Sequence, residues 1–83
     1  MQVTLQACGL VEDILRYKTA IKLYPNHEFI QAFKKALRSN YRLFKQLTGL
    51  SFNKLNINQI RAFCNVWAQH GNLPLNTPVT VIF

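Results

Sequence analysis

Apolar residues recur along most of the chain at steps of three and four, the spacing of one face of an α-helix. The first series has five members: Leu10, Ile14, Tyr17, Ile21 and Tyr24. Glu12 and Asp13 lie near its start, where the positive end of a helix dipole favours acidic groups. Pro25 follows directly, and proline does not continue a helix. The pattern predicts a first helix from Leu10 to Tyr24.

A second, longer helical pattern runs from Asn26 to Gly49. Asn26 is suited to the N-cap, and Gly49 to the C-cap because glycine adopts the left-handed conformation without steric cost. The pattern predicts an apolar face of six residues: Phe29, Phe33, Leu37, Tyr41, Phe44 and Leu47. It also predicts a basic stripe on the opposite side: Lys34, Arg38, Arg42 and Lys45. This segment is therefore expected to be a strongly amphipathic central helix.

The next segment, Leu50 to Lys54, is compatible with a connecting loop or with the beginning of a further helix. A third helix is then predicted, capped by Asn56 or Asn58 and ending at Gly71. Its apolar side is expected to carry Ile57, Ile60, Phe63, Cys64 and Trp67, and its polar side Asn58, Gln59, Arg61, Asn65 and Gln69.

Both ends of the chain have strand character. Residues 2–5 alternate polar and apolar types, which fits a short strand or an extended arm. Residues 72–78 are expected to be irregular because they contain two prolines. Val79–Phe83 has the high content of β-branched residues that is typical of a strand. The two strands are expected to pair within one chain or across a dimer. The predicted fold is a single mainly α domain, residues 1–83, with three helices, the central one long, and short terminal strands.

Charge adds a functional signal to this fold. The 83 residues include ten Lys or Arg and three acids, a formal net charge of +7, and all three acids lie before residue 29. Five basic residues on the central helix, spanning about 16 Å, would match several phosphates of a nucleic acid. They are Lys34, Lys35, Arg38, Arg42 and Lys45. A solvated face and an acidic protein partner are the alternatives.

Planar polar side chains around the start of the third helix suit contacts with base edges. The residues chosen for these finer contacts are Asn53, Lys54 and Arg61, close to Asn56, Asn58 and Gln59. Helix capping and turn formation are the competing explanation for the asparagines. Among aromatic residues, Tyr17, Tyr24 and Phe52 are the candidates for exposed stacking surfaces, whereas Phe63 and Trp67 are expected in the core.

Residues 41–60 contain the run Leu-Thr-Gly-Leu-Ser and resemble the helix-turn-helix of phage-repressor-type regulators. The resemblance implies that Gly49 makes the tight turn and that Ser51 caps a recognition helix. It implies that Leu50 and Leu55 pack inside, and that Phe52, Asn53, Lys54 and Asn56 face the major groove. Lys45 stands where that family favours a small residue, and Asn58 where it favours an apolar one.

The residue inventory argues against an enzyme. With three acids, two of them adjacent, general acid–base catalysis would depend on His27, expected in the first turn of the central helix, or on His70, expected in the last turn of the third. Cys8 and Cys64 are expected to be free buried thiols. These four residues lack the close pairs of known zinc motifs, so neither a metal nor a cofactor is expected.

Taken together, these patterns predict a small, basic, non-enzymatic protein that binds DNA or RNA, of the size of a phage or plasmid regulator. The alternative is an adaptor or inhibitor whose basic helix face docks on an acidic protein and whose Val79–Phe83 strand extends a partner's sheet. A homodimer is compatible with either function. No apolar run is long enough for a membrane span and no signal peptide is recognisable, which favours a cytoplasmic protein.

Overall fold

The computed structural model describes all 83 residues. The elements in chain order are β1 (Gln2–Thr4), α1 (Leu5–Leu23), α2 (Ile30–Thr48), a 3₁₀ turn (Phe52–Lys54), α3 (Ile57–His70) and β2 (Pro78–Thr80). The prediction of a mainly α domain with three helices and short terminal strands is confirmed. The molecule measures 38 × 25 × 21 Å. None of the helices combines the length with the apolar composition that a membrane span needs.

The two terminal strands pair with each other, antiparallel, within one chain. Val3 lies opposite Val79. Two residues further along, the amino group of Met1 donates to the Val81 carbonyl at 2.9 Å, and the Val81 amide donates to the Met1 carbonyl at 2.8 Å. The second strand is shorter than the predicted Val79–Phe83, and Ile82 beyond it is 81% exposed.

Helix α1 begins at Leu5, five residues before the predicted Leu10. Residues 7–11 are all buried, so this segment has no polar face. A helix enclosed on every side shows no amphipathic period, and for that reason the pattern reveals only its later, half-exposed turns. At the other end the prediction was close, because the helix ends at Leu23 and Tyr24 takes a non-helical conformation before Pro25.

Helix α2 begins at Ile30, and the predicted N-cap at Asn26 is wrong. Asn26 lies in the turn after α1, and Phe29 occupies the N-cap position. The Phe29 amide donates to Nδ1 of His27 at 3.1 Å, so His27 shapes this turn and does not belong to the helix. Phe29 is 57% exposed and is not part of the buried face. The predicted C-cap, Gly49, is confirmed by its left-handed φ of 74°.

The core lies at one end of the molecule, around the first half of α1. Its largest fully buried side chains include Phe44 of α2 and Phe63 of α3. Their rings pack edge to face, with the centroids 5.4 Å apart. Gly9 lets α1 and α3 approach each other, since a Cβ at this position would come within 2.9 Å of the Trp67 ring. None of residues 15–43 is buried, so the far ends of α1 and α2 extend beyond this core.

Candidate nucleic-acid interface

The predicted basic stripe is exposed along α2. All five side chains chosen from the sequence have exposed positions: Lys34, Lys35, Arg38, Arg42 and Lys45. Tyr41 lies beside the stripe, because Tyr41 and Lys45 are four residues apart and share a helix face. The stripe therefore borders an aromatic side chain and is not separated from the apolar face. Because no acidic residue follows Glu28, the sequence next to the stripe supplies no compensating charge.

A fixed turn follows the last basic residue of α2. The Gly49 amide donates to the Lys45 carbonyl at 2.8 Å. The Thr48 hydroxyl donates to the Phe44 carbonyl at 2.8 Å and accepts a bond from the Leu50 amide at 3.0 Å. These bonds satisfy backbone groups at the end of the helix and direct the chain into the 3₁₀ turn.

Phe52 anchors this turn and is not available to solvent. Only 4% of the residue is exposed, which corrects the expectation of an exposed stacking residue. Its ring lies 5.7 Å from the Tyr41 ring and 6.0 Å from the Phe44 ring, measured between centroids. The Lys18 ammonium of α1 lies 5.6 Å from the Phe52 ring centroid, within the range of a cation–π interaction.

An open concavity of about 490 Å³, here called the turn cleft, lies between the anchored turn and the end of α2. It is lined by Tyr41, Arg42, Lys45, Gln46, Ser51, Phe52 and Asn53. The cleft combines two cations, two amide side chains, a hydroxyl group and aromatic carbon. Its volume falls within the range of small-ligand sites, roughly 300–1,000 Å³.

A second concavity of about 280 Å³ adjoins the turn cleft and shares Lys45 and Ser51 with it. Lys54 and Gln59 are among its lining residues. The structure thus brings together four of the predicted residues: Arg42, Lys45, Asn53 and Lys54. The others, Lys34, Lys35 and Arg38 on α2 and Arg61 on α3, are exposed but line neither concavity.

The start of α3 is shaped by capping. Asn56 accepts a hydrogen bond from the Gln59 amide, and the Gln59 side chain accepts one from the Asn56 amide, each at 2.9 Å. This reciprocal pair is a capping box, so Asn56 rather than Asn58 is the N-cap. Ile57, expected on the apolar side, is 59% exposed because it begins the helix at the surface.

Several details implied by the helix-turn-helix resemblance can be compared with this geometry. Leu50 and Leu55 do pack against the core, and Gly49 does make the turn. Ser51 makes no side-chain capping bond, and a recognition helix does not begin there, because only one 3₁₀ turn precedes Ile57. Membership of that family stays a prediction.

Sequence reasoning missed several residues around this site. Tyr41 had been assigned only to the apolar face, Ser51 only to helix capping and Gln46 to no role, yet all three line the turn cleft. Lys18 comes from a helix distant in sequence, so no local pattern placed it next to Phe52. The i, i+4 relation of Tyr41 to Lys45 was the one signal present in the sequence.

The cysteines and histidines line neither of these two concavities. Both thiols are free; Cys8 is buried and Cys64 is half-buried. Burial raises the pKa of each thiol to about 11, and the neighbouring Glu12 carboxylate adds to the effect at Cys64. His70 closes α3, as expected. No group of three or more His, Cys, Asp or Glu side chains is placed to hold a metal ion.

Comparisons with known proteins assign no family to the chain. No protein-family model, no curated protein and no solved structure matches it.

Proposed function

We propose that the protein is a small, non-enzymatic nucleic-acid-binding protein, of the regulator type, whose basic α2 and turn region bind the phosphate backbone. The observation that carries the proposal is the exposed series of cations from Lys34 to Lys54 in a part of the chain without acids. Mixed charges are usual on a solvated helix face, and their absence leaves a positive potential that attracts phosphates.

The arrangement of the cations, around the concavities and along α2, supports the same function. The residues Arg42, Lys45 and Lys54 are held around two adjoining concavities, whereas Lys34, Lys35 and Arg38 continue along the helix. Their combined length, about 16 Å from Lys34 to Lys45, matches several phosphates. Arg61 extends the positive surface onto α3.

The test is fluorescence anisotropy of the full chain with labelled duplex DNA, single-stranded DNA and RNA, at about 50 and 200 mM salt. We expect binding that weakens steeply with salt. The variant Arg38→Glu/Arg42→Glu should lose this binding. The matched control Arg16→Glu/Lys22→Glu makes the same change in net charge at exposed positions of α1 and should retain most of it.

The alternative function, an adaptor or inhibitor that docks on an acidic protein, has one favourable observation. Ile82 and Phe83, which follow buried Val81 after β2, are exposed and give an apolar surface close to the two-stranded sheet. A strand of a partner can extend such a sheet. Absence of binding to all nucleic acids at low salt would contradict the proposed function and favour this alternative.

A further inference from the structure

We propose that the turn cleft binds one unpaired nucleotide of a single strand, with the base against Tyr41 and a phosphate against Arg42 and Lys45. This inference rests on the proposed function and adds a preference for unpaired strands. The surface cations alone predict no such preference, because they bind any phosphate backbone.

The shape of the site supports a single nucleotide. The turn cleft is a concavity of about 490 Å³ at the end of a helix. A base within a duplex is stacked and paired, and it enters such a concavity only after it is flipped out at an energetic cost. An unpaired base has no pairing to lose, so single strands and loops are the favoured source.

Tyr41 supplies the stacking surface. It is half-buried, lines the cleft, and has its ring centroid 5.7 Å from that of buried Phe52. Phe52 is itself held by contact with the Phe44 ring and by the Lys18 ammonium above its own ring. A ring held in this way loses little conformational entropy when a base stacks on it.

Polar groups of the cleft suit the edges of a base. Gln46 and Asn53 carry amides that donate and accept hydrogen bonds, and Ser51 carries a hydroxyl group that does both. The amides come from different elements, α2 and the 3₁₀ turn, which the Thr48 and Gly49 bonds hold in a fixed relation. The backbone that carries both amides is therefore ordered before the ligand arrives.

The cations favour a strand over a free nucleotide. Arg42 and Lys45 line the turn cleft, and Lys45 is shared with the second concavity, where Lys54 lies. A nucleotide in the turn cleft thus has a neighbouring positive site for the phosphate next in the strand. A free mononucleotide cannot use both places at once.

The experiment compares a labelled single strand, its duplex and free AMP as a competitor at one salt concentration. We expect the single strand to bind at least about tenfold more tightly than the duplex, and AMP to compete only weakly. The variant Tyr41→Leu should lower single-strand affinity about tenfold and leave duplex affinity unchanged, whereas Tyr41→Phe should retain it. The control Phe29→Leu removes an exposed ring before the start of α2 that lines neither concavity, and it should have no effect.

Asn53→Ala provides a second variant that does not depend on the apolar packing of Tyr41, because Asn53 is exposed. It should weaken binding of the single strand but not of the duplex. Equal salt-dependent binding of single strand and duplex, unaffected by Tyr41→Leu and Asn53→Ala, would overturn the cleft inference and leave the proposed function intact. AMP that binds as tightly as the strand would overturn the strand preference, and no binding of any probe would overturn the proposed function itself.

Discussion

The two halves of α2 carry the same kind of charge in different surroundings. The second half contains buried Phe44, ends in a hydrogen-bonded turn, and places Arg42 and Lys45 at the turn cleft. The first half carries Lys34 and Lys35 within residues 15–43, the part of α1 and α2 in which no residue is buried. Exposed charges alone therefore create a positive field, whereas charges next to a packed turn form a site with defined geometry.

The largest difference between the two halves is expected in stability. Phe44→Ala removes a fully buried ring that contacts Phe52 and Phe63, and should lower the free energy of unfolding by about 3–5 kcal/mol. Phe33→Ala, the matched change in the first half, removes a half-buried ring and should cost about 1 kcal/mol. Urea unfolding measures both values, and equal losses would contradict a core confined to one end.

A smaller effect is expected where α1 and α3 cross in that core. The Cβ of Gly9→Ala would lie 2.9 Å from the Trp67 ring, so either this ring or the helices must shift. We expect a net loss of about 1–2 kcal/mol in spite of the higher helix propensity of alanine. The loss should shrink in a Trp67→Leu background, which removes the clashing ring. Thermal unfolding of the original protein, the two single variants and the double variant measures the coupling between the two positions. A stabilising effect of Gly9→Ala would refute the close approach of the helices.

A third effect, confined to alkaline pH, is a dependence of core stability on the two thiols. Burial raises the pKa of Cys8 and Cys64 from 9.0 to about 11 in the folded protein. Between these values the unfolded chain loses the thiol protons and the folded chain keeps them. Stability is therefore fully present below about pH 9 and falls as the pH rises toward 11.

Urea titrations at several pH values, with Cys8→Ala/Cys64→Ala as the control, isolate this contribution. The slope of stability against pH between 9 and 11 should be shallower in the double variant. Identical slopes in both proteins would show that the thiols are not the cause.

The sequence predicted most of the fold, and each of its failures has a physical origin. Periodicity located the half-exposed stretches, such as the series around Phe44, and glycine chemistry located the end of α2 at Gly49. It failed for residues 5–9, where a helix buried on all sides has no polar face. It also failed at Asn26, because asparagine serves turns as readily as helix caps.

The candidate site was predicted in part for a related reason. Cations on one helix face are visible in the sequence, so Arg42 and Lys45 were found. The arrangement of the 3₁₀ turn depends on tertiary packing of Phe52 under Tyr41 and against Lys18, which no local pattern contains. The same packing explains why Phe52 was expected outside and lies inside.

The most direct test of the account compares two matched double variants by single-strand binding. Arg42→Gln/Lys45→Gln and Lys34→Gln/Lys35→Gln each remove two exposed positive charges from α2. Both should reduce the salt dependence of binding to a similar degree, since each removes about two phosphate contacts. The variant at the turn cleft should lose about tenfold more affinity, because its charges act at a fixed site. Equal losses of affinity would contradict the account, since α2 would then act only as a uniform positive surface.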